Sequence, residues 1–156
     1  MTREIVTSFS VGKATDIEKT WAAELMATSE PWTTLQITLD QCRSACSDKC
    51  NHVYIAHIID EPCGLLILQD RGVAGSPYIK SVAIAPNHRS KGIGKLLLDF
   101  AENLYRPTSK HIFLCVSSFN QQAQKFYLTN GYDKVGEFKD YIVDGYSELL
   151  MHKRLR

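Results

Sequence analysis

The sequence predicts a mixed α/β layer structure, and three observations carry that reading. Strand-like apolar runs alternate with two helix-like segments in the second half of the chain. A strand, a Gly-rich loop and an amphipathic helix follow one another directly at residues 81 to 104. The last thirty residues read as an apolar hairpin. At 156 residues the chain fits one compact domain able to bury most of its apolar side chains, and we take 1–156 as a single domain. A composition of 44% hydrophobic and 22% charged residues belongs to ordinary globular proteins.

The elements can be justified in order. EIVTSF alternates as a first strand does, and Ile17, Trp21, Leu25 and Met26 form a stripe at helical spacing. Asp16 charges the first turn of that helix and Pro31 opposes its continuation. The polar stretch 40 to 50 suits a short second helix before the strand HVYIAHII. A hairpin built around Glu61, Pro62 and Gly64 leads to LLILQD, and DRGVAGSP breaks the chain before a central strand from Tyr78 to Ile84. From Gly92 to Tyr105, Ile93, Leu96, Leu97, Phe100 and Leu104 make one apolar helix face, which Pro107 ends. His111 to Val116 is a strand, and Asn120 to Thr129 a helix facing inward with Ala123, Phe126 and Tyr127. Gly131 terminates that helix, and Tyr132 to Phe138 and Ser147 to Met151 close the fold as a hairpin.

Charge and cysteines set limits on function. A formal net charge of +1 gives no footprint for nucleic acid, whose binding needs clustered cations. Residues 1 to 20 read as neither a signal peptide nor a membrane span. The five cysteines would leave one unpaired in any full disulfide scheme, favouring a reducing, cytoplasmic setting. Cys42, Cys46 and Cys50 recur every four residues, yet no CxxC pair or completing ligand accompanies them, so ordinary thiols are expected and no metal.

Arg89, Gly92 and Gly94 give RxxGxG where strand passes into helix. Glycines there let backbone approach an anion, and the exposed N–H groups and dipole of the helix start favour phosphate. His88, Arg89 and Lys91 add positive charge. A Walker A loop is absent, and a dinucleotide fingerprint would stand near the first strand.

SVAIAPNHRSKGIGKLLLDFAENL, residues 81 to 104, resembles the coenzyme A-binding signature of the GNAT N-acetyltransferase superfamily. NQQAQKFYLTNGYDKVG, residues 120 to 136, resembles the same superfamily's later helix and strand entry. The resemblance spans roughly residues 3 to 155. It implies a mixed, mostly antiparallel sheet with helices on both faces and two central parallel strands splayed apart, and acetyl coenzyme A as acyl donor. The pantetheine would run beside Val82, Ala83 and Ile84. The pyrophosphate would meet Arg89, Ser90, Lys91, Gly92, Ile93, Gly94 and Lys95, with Asn120 near the cofactor. The backbone N–H of Val82 or Ile84 would face the developing oxyanion.

Attack of an amine on the thioester is the implied reaction. Tyr127 is similar in position to the tyrosine that serves the departing thiolate in such enzymes. The partly similar ribosomal-protein alanine acetyltransferases carry a glutamate where LCV has Cys115, so their base does not transfer to this chain. Glu61 and His57, near the predicted hairpin, are the candidate bases, and proton loss to water stays open. Cys115 reads as a packed thiol rather than a nucleophile.

Glu30 and Trp32, after the first helix, are expected to wall the acceptor site, with Tyr141, Tyr146 and Asp144 from the last hairpin. The acceptor stays open between a peptide N-terminus and a small-molecule amine. A coenzyme A-binding descendant without catalysis is the alternative class. A homodimer follows only from the resemblance.

Overall fold

The structure, a computed structural model, describes residues 8–156. Seven strands form one sheet in the order β1 (Phe9–Lys13), β2 (His52–Ile58), β3 (Glu61–Val73), β4 (Ser76–Ile84), β5 (His111–Ser117), β7 (Glu148–Arg154), β6 (Asp133–Phe138). Every neighbouring pair is antiparallel except β4 with β5. That parallel pair holds register only at Tyr78 with Phe113 and Ile79 with Leu114. Beyond Ile79 the two strands part, and β4 keeps partners only on its β3 side. Helices cover both faces of the sheet: α1 (Asp16–Ala27) and α2 (Leu39–Ser47) on one, α3 (Ile93–Tyr105) and α4 (Gln121–Thr129) on the other.

Local chemistry explains the elements and adjusts several expectations. Only the tail of the expected strand EIVTSF falls among the described residues, and the strand seen there runs from Phe9 to Lys13. Thr15 caps α1 in a reciprocal capping box with Glu18, and Asp16 stands in the first turn as its charge suggested. Ile17 stands 84% exposed. The buried face is instead Ala22, Ala23, Leu25 and Met26, whose two alanines allow the helix to lie close against the sheet. Thr38 and Gln41 repeat the capping box at α2.

The β2–β3 turn is Ile59–Asp60, both at positive φ, which is the twist a two-residue hairpin requires. Glu61, Pro62 and Gly64 therefore lie inside β3, and Gly64 pairs with Ala56 and with Ile84. Ala74 and Gly75, again at positive φ, make the next turn. Both segments were expected to be loops because of their Gly and Pro content. The strands continue through them because turn conformation is concentrated in two residues each time.

On α3 the buried face is Ile93, Leu97, Leu98, Ala101, Glu102 and Tyr105, while Leu96 and Leu104 face outward. The expected apolar face was rotated because Glu102 is polar in sequence yet only 3% exposed in the fold. Its Oε1 accepts from Lys153 Nζ at 2.6 Å and its Oε2 from the Tyr132 hydroxyl at 3.1 Å. Lys153 also donates to the Asn130 carbonyl at 2.9 Å. This small network ties α3, the end of α4 and β7 together, which fixes the helices on either side of the parted strands.

Removing one member of a buried ion pair costs about 3 kcal/mol or more, because the other charge is left uncompensated. Lys153→Met should lower unfolding free energy by about that amount, measured by urea titration. Combining it with Glu102→Leu should recover most of the loss.

Candidate active site

Where β4 and β5 diverge, the structure holds a cavity of about 680 Å³. Tyr78 to Val82 of β4 and Cys115 to Ser117 of β5 form its floor, and Asn120, Ala123 and Tyr127 close it from α4. One rim is the α1–α2 loop, with Glu30, Trp32 and Ile37. The other is the end of β6 and the segment after it, with Phe138, Tyr141 and Ile142. A volume of this size suits a small molecule or the reacting end of a longer one.

The turn after β4 has anion-binding chemistry. Gly92 caps α3 at φ 79°, and a side chain there would meet only open space. Ser90 is also left-handed, at φ 63°. The thirteen-residue helix behind Gly92 leaves its first N–H groups without intrahelical acceptors. Arg89 is anchored through Nε to the Ile84 carbonyl at 3.3 Å. Lys91 Nζ lies 3.3 Å from His88 Nδ1, and Glu61 lies 3.7 Å from His88 Nε2. Lys95 pairs with Asp99 at 2.9 Å, and the side chain of Ile93 is in the core, leaving only its backbone for a ligand.

Gly94 has a different physical reason. A Cβ at that position would lie 3.0 Å from Phe126 Cζ, so its smallness serves the close approach of α3 and α4. Of the strand residues expected beside pantetheine, Val82 lines the cavity, while Ala83 and Ile84 lie at the end of β4 above it. The edge of β4 facing β5 has no strand partner past Ile79. An extended amide chain finds there the donors and acceptors that a neighbouring strand would otherwise use. Turn, helix start and free edge together fit coenzyme A.

Tyr127 lines the cavity with its ring against Tyr132, centroids 6.0 Å apart. Burial pushes its phenol up to about 12, so it stays protonated and able to donate. Asn120 accepts from the Ala123 N–H at 3.2 Å as the cap of α4 and also lines the cavity. Its capping and cavity positions therefore coexist. Cys115 lines the cavity too, but burial raises its thiol pKa, which opposes the thiolate a nucleophile would need.

Glu30, Trp32 and Tyr141 are brought to the rims, with Glu30 accepting from the Thr33 hydroxyl. Tyr146 is not brought to the cavity: it packs edge-to-face on Phe119 at 4.8 Å. Asp144 likewise falls outside, in the exposed turn that Asp140 closes by accepting from Gly145 N–H at 2.7 Å. Neither expected base reaches the cavity. Glu61 starts β3, well exposed beside His88, because the turn lies one step earlier than its sequence suggested. His57 is engaged by Glu18 at 2.6 Å, on the α1 side of β2.

The buried carboxylate of the cavity is Glu148, at the start of β7 and 9% exposed. Its Oε2 accepts from Ser117 Oγ at 2.6 Å across the β5–β7 ladder, where the two residues are register partners. Burial raises its pKa above the ordinary 4.5, partly opposed by the Ser117 hydrogen bond. Sequence reasoning passed over it as part of an apolar terminal strand. The available signal was an acid leading directly into Leu149, Leu150 and Met151, a position that costs stability unless the group is used or paired.

Solved structures share the fold at low identity. A GNAT-family acetyltransferase structure from Desulfovibrio desulfuricans is similar with a TM-score of 0.80 at 15% identity, over 96% of this chain and 100% of that one. An aminoglycoside 6'-N-acetyltransferase complexed with coenzyme A is similar with a TM-score of 0.77 at 14% identity, over 94% and 97%. The ribosomal-protein alanine N-acetyltransferase of Escherichia coli gives 0.75 at 14% identity, over 95% and 94%. No curated protein sequence matches the chain. The model of the Acetyltransferase (GNAT) family matches residues 17–132, well over half of the length and including β4, β5, the anion-binding turn and α4, and the chain belongs to that family.

Proposed function

We propose that the chain is an acetyl-CoA-dependent N-acetyltransferase that transfers the acetyl group to a primary amine by direct attack within a ternary complex. The observation that carries this reading is the continuity of the site. The free edge of β4 leads from the anion-binding turn to a cavity holding a buried carboxylate, Glu148, and, from α4, the protonated phenol of Tyr127.

The acceptor arrives as an ammonium ion. Glu148 takes one proton and passes it to solvent, leaving a neutral amine. Its nitrogen attacks the thioester carbonyl carbon, an N–C bond forms, and the carbonyl oxygen becomes an oxyanion beside the free backbone edge of β4. Collapse breaks the C–S bond and the electron pair leaves with sulfur. Tyr127 gives that thiolate a proton and is restored by the second proton lost from nitrogen. The products are the acetamide and free coenzyme A, with one proton released. Raising the pKa of Glu148 brings it nearer the working pH of a base. The ternary route, rather than an acetylated enzyme, is supported by the elevated thiol pKa of Cys115.

Free-thiol release from acetyl coenzyme A in the presence of a mixed amine panel tests the reading. Tyr127→Phe should lower kcat about 10²-fold while coenzyme A still raises the melting temperature of the variant. Binding of coenzyme A with no thiol release for any amine would favour a binding-only descendant of the fold.

Glu148→Gln should likewise lower kcat/KM about 10²-fold and remove the acid limb that the wild-type pH profile is expected to show above the ordinary carboxylate range.

The same substitution should affect stability with the opposite sign. A carboxyl whose pKa is raised by folding is neutral in both states at low pH and costs nothing there. As pH rises past the unfolded value of 4.5 and through the raised folded value, the buried charge destabilises the protein. Glu148→Gln should therefore melt higher than wild type at pH near 8, with the difference closing towards pH 4, as read by calorimetry.

A further inference from the structure

Lys80 is the one cation among the described residues that line the cavity. It is the extra residue of a β-bulge: the β3–β4 register passes from Ile67 with Ser81 to Leu68 with Ile79, so Lys80 has no cross-strand partner. No carboxylate among the described residues lies within ion-pair distance of it. A bulge re-aims a side chain at the cost of one ladder position, and here the re-aimed residue is a lysine on the floor of a cavity.

The geometry separates two opposite charges within that cavity. Glu148 is buried and held by Ser117, while Lys80 is exposed on β4. Both charges act on the Cys115 thiol, whose pKa is raised chiefly by burial, with Glu148 adding to the rise and Lys80 opposing it. Glu30, the other cavity carboxylate, is at the rim, tied to Thr33. A purely cationic acceptor such as a polyamine would bring like charge towards Lys80, whereas an acceptor with its own anion would complement both groups. The same cavity has aromatic residues at its rims, Trp32 on one and Tyr141 on the other, suited to an apolar body.

We propose that the acceptor is a small zwitterionic amine, an α-amino acid with an apolar or aromatic side chain, its amine at Glu148 and its carboxylate at Lys80. This rests on the transferase reading and adds the acceptor class to it. The amino nitrogen forms the new N–C bond as the C–S bond breaks. The amino acid's carboxylate takes no part in bond making and serves only to hold the molecule.

Matched pairs differing only in the carboxylate test the idea: L-phenylalanine against phenethylamine, and L-leucine against isopentylamine, with a short peptide beginning with glutamate as a third arm. Thiol release is measured for wild type and for Lys80→Gln and Lys80→Arg. Each amino acid should exceed its decarboxylated partner by about tenfold or more in kcat/KM, because a site built around a polar group discriminates against an analogue lacking it. Lys80→Gln should bring that ratio close to one, mainly through KM for the amino acid, and Lys80→Arg should retain it. Equal use of the decarboxylated amines, or a ratio unchanged in Lys80→Gln, would overturn the acceptor assignment and leave the transferase reading standing. Preference for the peptide over both amino acids would overturn the small-molecule source. No thiol release with these acceptors from protein that releases it with another amine of the mixed panel would overturn the acceptor assignment alone, and protein stabilised by coenzyme A that releases no thiol with any amine of that panel would overturn the transferase reading itself.

Discussion

The structure depends on the point at which two parallel strands stop pairing. β4 and β5 share register at only two positions, beside the bulge at Lys80, and then diverge. Each strand remains fully supported on its other side, β4 by β3 and β5 by β7, so the sheet tolerates the gap as a seam between two antiparallel halves. Unpaired backbone in a protein interior is costly. A seam of this kind persists because the polar edge opens onto solvent and can be used by a ligand. Chain connectivity places the helix that follows each parted strand at the gap, which is why α3 brings its N-terminus and α4 brings Tyr127 to the same opening.

Two buried carboxylates are treated in opposite ways by this architecture. Glu102 is compensated by Lys153 and the Tyr132 hydroxyl, and so contributes to holding α3 against β7. Among the described residues, Glu148 has only a neutral hydroxyl, that of Ser117, as a side-chain hydrogen-bond partner. A neutral partner orients a carboxylate without cancelling its charge, leaving it basic. The first arrangement serves stability and the second forgoes some of it at the reacting centre.

Much of this was legible in the sequence, for reasons that differ by region. The turn from Arg89 to Gly94 and the helix bearing Asn120 and Tyr127 are specified locally, by glycine conformation, helix periodicity and capping, so they could be placed without coordinates. The base could not. Ser117 and Glu148 are thirty-one positions apart and meet only because β5 and β7 are ladder neighbours, a pairing that no local pattern encodes. Glu61 was attractive for its position beside an expected turn, but two residues at positive φ moved that turn to Ile59 and Asp60. The buried face of α3 was misplaced for a related reason: Glu102 looks like a surface residue until Lys153 and Tyr132 arrive from distant segments.

Gly94 touches Phe126, and Phe126 is the immediate neighbour of Tyr127. The second glycine of the anion-binding turn is therefore a packing residue for the helix that carries the proposed proton donor. Across related chains the two positions should drift together, a larger residue at 94 being admitted only where the ring at 126 has shrunk. A substitution made at either position alone would change the spacing between the two helices, and with it the distance from the phosphate end of the site to its acyl end.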